Sequence, residues 1–310
     1  MKIFLAGGTG AIGRELVPML VEAGHDVTVL TRSAERAAAI GATGARAAVG
    51  DVFDPEGLAA LVRAAAPELV MHQLTAFGAT DTDPLAATIR VRTEGTRNLV
   101  AAALASGARR IVAQSISFIC TPKGTGLTDE DTPLYLDAPP AIRPLAEAVS
   151  ELERRVLEAA PASGLVLRYG WFYGDGTNYD PVSGSIPAAI RKGRMPVVGE
   201  GEGTYSFVHV RDAALATMRA LESDATGILN IVDDEPARLR DWLPFVARLL
   251  GAPEPGRAET ALVREKLGAM MAYVFTEQRG ASSARARRVL GWQPSIPSWR
   301  EGFATIYGAS

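Results

Sequence analysis

Short apolar runs alternate with segments of helical spacing through the first half of the chain. Ile3-Phe4-Leu5-Ala6 is a continuous apolar run of strand length. Across residues 11 to 23, Ile12, Leu16, Met19, Leu20 and Ala23 recur on one helical face, and Gly24 follows as a stop. Val27-Thr28-Val29-Leu30 predicts a second strand, 33 to 40 a short Ala-rich helix, and Ala45 to Val49 a third strand. Asp54-Pro55-Glu56 reads as an N-cap with proline at the first helical position, and Leu58, Leu61, Val62 and Ala65 line that helix. Leu69-Val70-Met71-His72 is strand four, a long helical stretch ends with Leu99, Val100, Ala103 and Leu104, and Ile111-Val112-Ala113 is strand five. Strands alternating with helices predict a doubly wound, Rossmann-like α/β fold around a parallel sheet covered on both faces.

The second half is less regular. The pattern predicts a helix over 145 to 160, strands at Val166 to Tyr169, Phe207 to Val210 and Ile228 to Val232, and helices near 239 to 250, 259 to 273 and 281 to 290. The Gly-, Pro- and Ser-rich stretch 170 to 206 reads as loop. Two parts are therefore expected: a dinucleotide-binding domain over 1–168, with 207–235 returning to it, and a smaller, partly helical substrate-binding region over 169–310.

Composition narrows the classes. The chain has 310 residues, 47% hydrophobic and 22% charged, with net charge −3, so neither a disordered chain nor a basic nucleic-acid binder is expected. No apolar run reaches membrane-span length and no signal-peptide pattern opens the chain, so a cytoplasmic protein with no membrane partner is the expectation. One cysteine, Cys120, excludes an intrachain disulfide or a Cys-rich zinc site, and no metal-ligand cluster is visible.

Gly7, Gly10 and Gly13 are spaced G-x-x-G-x-x-G at the first strand-to-helix turn. Glycines there allow a tight turn, close approach of backbone to a pyrophosphate, and close helix–sheet packing, and the helix N-terminus attracts the phosphates. Thr9, Ala11 and Ile12 belong to the same cradle. The end of the second strand selects the cofactor. An acid there would suit the ribose 2′-hydroxyl of NAD, whereas this chain has Arg32 and Ser33, suited to a 2′-phosphate. NADP(H) is the expected cofactor. Asp51 and Val52, after strand three, are placed for the adenine edge, and Leu74 and Thr75 follow strand four.

These residues resemble the extended short-chain dehydrogenase/reductase superfamily, in its epimerase/dehydratase branch. The likeness runs through His72-Gln73-Leu74-Thr75-Ala76, Glu94-Gly95-Thr96-Arg97-Asn98-Leu99, Tyr169 to Gly174, Phe207-Val208-His209-Val210-Arg211-Asp212 and Leu290-Gly291-Trp292-Gln293-Pro294. The family's chemistry uses Tyr-x-x-x-Lys, whose spacing sets both side chains on one helix face. Only Lys2, Lys123, Lys192 and Lys266 exist here, and Ile119, Ala188 and Leu262 stand four residues before the last three. No such dyad is present. With Glu153 matched to the family's helix glutamate, the dyad positions fall at Leu145 and Val149. The strand-five serine position falls on Ile116, flanked by Ser115 and Ser117, and the asparagine before the Gly-Thr segment is Arg92. The arginine that clamps a sugar-nucleotide diphosphate is replaced by Tyr205, with Arg168, Arg191 and Arg194 as conceivable substitutes.

The resemblance therefore implies an atypical NADP(H)-dependent oxidoreductase, a reductase of a small uncharged or aromatic metabolite. Tyr173, Ser115 and Ser117 are the candidates for proton or hydrogen-bond chemistry. Tyr135, Tyr169, Trp171 and Tyr205 are candidate substrate contacts. Asp212 is expected to cap a helix starting at Ala213. An epimerase, isomerase or lyase holding NADP tightly, and a redox-inactive NADP sensor, are the other readings. A homodimer is the family-level expectation for assembly.

Overall fold

In the computed structural model, residues 1–76 and 83–308 are described. Seven strands form one sheet: β1 (Lys2–Ala6), β2 (Asp26–Thr31), β3 (Arg46–Val49), β4 (Leu69–His72), β5 (Arg110–Ile116), β6 (Ser163–Tyr169) and β7 (Gly227–Ile231). Their order is β7-β6-β5-β4-β1-β2-β3, so chain order reverses between β1 and β4. The pairs β1–β2, β2–β3, β1–β4 and β4–β5 are parallel, and Ala6 stands beside both Leu30 and His72. Phe4, Leu5, Ala6, Val70 and Met71 are completely buried. A strand covered on both faces keeps its apolar run unbroken, which is why these segments read as runs rather than alternations.

The helices that matter to the site are α1 (Ala11–Glu22), α2 (Ala34–Ala42), α3 (Pro55–Ala65), α4 (Pro84–Arg90), α5 (Thr96–Ala105) and α6 (Arg143–Leu157), with a π-helical turn, Val91–Gly95, joining α4 to α5. Asp54 caps α3 by accepting from the Gly57 N–H at 3.1 Å, with Pro55 at the first position as the sequence predicts. No described helix is long and apolar enough to cross a membrane.

The chain divides into two compact units, and the division is not the expected one. The first unit is Met1–Ser115, Glu147–Arg168 and Ala214–Leu229; the second is Ile116–Ala146, Tyr169–Ala213 and Asn230–Ser310. A boundary at 168 therefore misplaces 116–146, and of the returning segment 207–235 only 214–229 joins the first unit. The reason lies in the connections. The second unit begins at or one residue from the last residues of β5, β6 and β7, so the chain leaves the sheet's C-terminal edge three times. Excursions from one sheet edge mix the two units along the sequence.

Three element assignments also differ. The stretch 170–206 contains Trp171–Tyr173, which pairs with Phe207–His209, a helix at Ser185–Arg191, and two-residue strands at Val197–Val198 and Thr204–Tyr205. Strands this short carry no periodicity to read. The expected helix over 259 to 273 is two helices, Thr260–Leu267 and Ala269–Thr276, divided by Gly268 at φ +87°. A last helix, Trp299–Tyr307, buries Trp299, Phe303 and Tyr307 at four-residue spacing.

Candidate functional site

The turn after β1 is shaped by its glycines. Gly7 has φ +102°, and a Cβ there would lie 2.3 Å from the Gln73 carbonyl oxygen. A Cβ on Gly13 would lie 2.5 Å from the Gly7 carbonyl oxygen. Gly10 differs: its Cβ would meet only that same oxygen, at 3.4 Å. Gly7 and Gly13 are needed by the fold, whereas Gly10 leaves room above the turn. Gly10 is also the extended N-cap of α1, and no side chain caps the helix. No side chain therefore occupies the start of α1, which leaves its first N–H groups for the phosphates of a dinucleotide. Thr9 and Ala11 are half-buried and Ile12 is buried, anchoring the turn to the core.

At the end of β2, the Thr31 hydroxyl accepts from the Ser33 N–H at 3.2 Å, and the Ser33 hydroxyl accepts from the Arg36 N–H at 3.2 Å, capping α2. Ser33 therefore has a structural duty, while its hydroxyl proton remains to be donated. Arg32 is exposed and joins no ion pair among the described residues. After β3, the Asp51 carboxylate accepts from the Phe53 N–H at 3.0 Å, and the buried Val52 carbonyl accepts from Asn98 at 3.0 Å. The Leu74 N–H donates to His72 Nδ1 at 3.3 Å, the Leu74 carbonyl accepts from Gln114 at 3.3 Å, and Thr75 is exposed.

Beneath the C-terminal edge of the sheet, the first unit holds a buried polar cluster. Glu153 on α6 is gripped at both oxygens by Arg168 on β6, at 2.8 and 2.7 Å, and accepts from the Ser115 hydroxyl at 2.8 Å. Ser115 thus serves α6, and Arg168 is spent on Glu153 rather than free to hold a diphosphate. His72 Nε2 meets the Thr96 hydroxyl at 2.9 Å. Because His72 Nδ1 accepts from Leu74, its proton sits on Nε2. Burial, reinforced by the nearby Arg92 charge, lowers the His72 pKa to about 3, so the ring is neutral. Arg92 is buried on the π-turn, and its Nε, Nη1 and Nη2 meet no hydrogen-bond partner among the described residues. The sequence had marked Arg92 as a departure from the family and Glu153 as a landmark. That they share one buried cluster with Arg168 and His72 had no local signal.

The positions that the resemblance sets for the Tyr-x-x-x-Lys pair, Leu145 and Val149, and for the strand-five serine, Ile116, are buried as well as apolar. Leu145, Val149 and Ile116 are 2%, 0% and 6% exposed. The sequence candidate Tyr173 does not replace them. It is fully buried in the second unit, its ring 4.8 Å from Phe303 and 5.2 Å from His209, and its hydroxyl has no hydrogen-bond partner among the described residues. Burial pushes its pKa far up, so it is a packing residue without access to solvent. Ser117 is buried as well, and its N–H donates to the Tyr169 carbonyl at 3.0 Å.

The proposed substrate contacts lie in the second unit. Half-buried Trp171 stacks on Phe118 at 4.2 Å and meets Tyr205 at 5.3 Å, and its indole N–H has no acceptor among the described residues. Tyr135 is half-buried and 5.6 Å from Tyr273. Tyr169 and Tyr205 are buried, which leaves Phe118, Trp171 and Tyr135 as the more accessible aromatic faces. Asp212 corrects another expectation. The helix begins at Val210, and the Asp212 carboxylate instead accepts from the Ser295 N–H, the Ser295 hydroxyl and the Ile296 N–H, at 2.9, 2.6 and 3.0 Å. It anchors the segment after Trp292 rather than capping its own helix or joining a catalytic triad.

Comparison with known proteins agrees with this geometry. Residues 3–231 match the family described as NAD dependent epimerase/dehydratase. A relative from a Streptomyces species, named 3-diazoavenalumate denitrifying reductase, is 47% identical over 306 residues, covering 97% of this chain and 99% of that protein. The 2-alkyl-3-oxoalkanoate reductase of Stenotrophomonas maltophilia is 28% identical over 96% of this chain and 91% of its own length. The UDP-glucose 4-epimerase of Thermotoga maritima superposes with a TM-score of 0.80 at 20% identity, over 99% and 98% of the two chains, a likeness of fold.

Proposed function

The chain belongs to the NAD dependent epimerase/dehydratase family, and we propose that it is an NADP(H)-dependent reductase that replaces an aromatic diazo group by hydride. The observation that carries this reading is the buried apolar trio of Leu145 and Val149, where the resemblance sets the Tyr-x-x-x-Lys pair, and Ile116, where it sets a hydrogen-bonding serine. Reduction of a carbonyl builds charge on oxygen and calls for a positioned acid. Replacement of a diazonium group does not, because the leaving group is neutral dinitrogen. The balance is arenediazonium plus NADPH giving arene, N2 and NADP+, with the hydride supplied by the bound cofactor. No proton crosses the site. The diazo relative's name supports this substrate class, and its acid name extends it to a carboxylate, in place of the uncharged metabolite expected from sequence.

The residues divide the work. Gly7, Gly10, Gly13 and the N-terminus of α1 cradle the pyrophosphate. Arg32 and the Ser33 hydroxyl take the 2′-phosphate, which selects NADP(H) over NAD(H). Asp51 and Val52 border the adenine, and Leu74 and Thr75 the path onward. Phe118, Trp171 and Tyr135 offer flat faces to an aromatic ring, and such faces attract a cationic diazonium substituent. Ser115 and Glu153 hold α6 in place and touch no substrate.

The test uses 4-carboxybenzenediazonium and [4,4-2H2]NADPH, deuterated at both C4 positions, with a protein-free control for background reduction. Deuterium should enter the ring carbon that carried the diazo group, one equivalent per NADPH consumed. Turnover of a 3-oxo acid with none of the diazonium would sink the assignment. For the cofactor, Arg32→Ala should weaken NADPH binding by about 10-fold, roughly 1.4 kcal/mol, and leave NADH binding unchanged.

A further inference from the structure

The buried cluster of the first unit does not balance its charge. Arg92, Arg168 and Glu153 are 2%, 3% and 4% exposed. Arg168 and Glu153 form a closed, two-point ion pair. His72 is neutral. Arg92 feels Glu153 only through space, and its guanidinium has no hydrogen-bonded counterion among the described residues. Burial lowers Arg92 only to about 10, so it keeps its charge at neutrality.

Such a group is costly. A buried charge without a bonded partner costs several kcal/mol, and an apolar side chain of similar volume serves packing better. Its location is specific. Arg92 sits on the π-turn Val91–Gly95, a helical distortion that recurs at functional positions. Its field acts on His72, the last residue of β4. Gln73, the next residue, packs its carbonyl against Gly7 of the glycine turn, and its own buried side-chain amide also has no hydrogen-bond partner among the described residues. β4 and β1 adjoin where strand order reverses, and a dinucleotide crosses a doubly wound sheet at that reversal. A dinucleotide held by the glycine turn would therefore pass its other half over the end of β4.

We infer that Arg92 is a fixed buried cation that makes the site favour the reduced dinucleotide, whose nicotinamide ring is neutral, over the oxidised form, whose ring is positively charged. The inference rests on the dinucleotide reading of the glycine turn. For a reductase, it keeps the hydride donor bound and the spent cofactor loosely held. The charge comes from the π-turn, because the family's lysine position on α6 is Val149.

The experiment measures binding of NADPH and NADP+ by calorimetry to wild type, Arg92→Met and Arg92→Lys, with melting temperatures alongside. Wild type should prefer NADPH by about 10-fold or more, and Arg92→Met should bring the ratio close to one, while Arg92→Lys keeps most of it. Arg92→Met should also raise the melting temperature of the free protein, by about 2 °C or more, because it removes an unpaired buried charge. A wild-type ratio near one overturns the inference whether or not any variant folds. So does a ratio unchanged in Arg92→Met, or a loss of affinity equal for both forms accompanied by a lower melting temperature, the mark of a packing role. Wild type that binds neither form overturns the dinucleotide reading itself, and this inference with it.

Discussion

The two units differ in the largest cluster each one buries. In the first, Arg92, His72, Ser115, Glu153 and Arg168 gather at one edge of the sheet, linked to one another by charge or hydrogen bonds. In the second, buried Tyr173, Tyr179 and Tyr205 stand among Phe207, Trp242 and Phe303, packed ring to ring. The first arrangement controls charge; the second provides shape. The proposed reaction, hydride transfer with loss of neutral dinitrogen, would need charge control at the cofactor and no proton donor, which fits buried leucine and valine at the positions the resemblance sets for the dyad.

The sharpest way to break this contrast is to remove the carboxylate that organises the first unit. Glu153→Ala leaves Arg168 buried without its partner and should destabilise the protein by about 3–5 kcal/mol. Chemical denaturation would measure it, and a loss below about 1 kcal/mol would mean the cluster is not a closed network. The next effect separates fold from binding within the glycine turn. Gly13→Ala, whose Cβ collides with the Gly7 carbonyl, should lower stability by about 1–3 kcal/mol. Gly10→Val should leave the melting temperature nearly unchanged and weaken NADPH binding by about 10-fold or more, because its side chain enters only the space meant for phosphate. Equal destabilisation by both substitutions would contradict that division.

The smallest effect is a pH dependence with one contribution from each unit. His72 is depressed from 6.5 to about 3, so the unfolded chain binds the extra proton between those values and stability rises with pH there. In the second unit, burial raises Asp233 from 3.8 to about 8. The native state then holds the extra proton, and stability falls as pH rises from 3.8 to 8. The two slopes oppose each other up to pH 6.5. Above it only Asp233 acts, with a limiting slope of about 1.4 kcal/mol per pH unit. The melting temperature should fall from pH 6.5 to 8, and Asp233→Asn should abolish the fall. Persistence of the fall in that variant would assign it to another group.

Much of the first unit was legible from residue order alone. β1 and β4 carry near-continuous apolar runs, β2 alternates valine and leucine with threonine, and Asp54-Pro55 marks the start of α3, because burial and helix capping act over a few neighbouring residues. The glycine turn was legible for the same reason: its geometry is a backbone property of seven consecutive positions. The two-residue strands of the second unit were not, since their pairing partners lie 30 or more residues away and no period forms within them. Tyr173 was misjudged because sequence places it after a strand but cannot say that Gly302 and Phe303 close over its ring.

By itself the sequence determined the α/β class, the family, the dinucleotide turn and the absence of a Tyr-x-x-x-Lys pair, all of which follow from local patterns or from counting residues. Tertiary structure alone decided that Ser115 serves Glu153, that Arg168 is already paired, that Tyr173 is sealed in a core, and that Arg92 on the π-turn is buried with no hydrogen-bond partner among the described residues. Electrostatic balance depends on which side chains share a buried volume, and that sharing joins positions 72, 92, 115, 153 and 168 only once five separate elements have packed together.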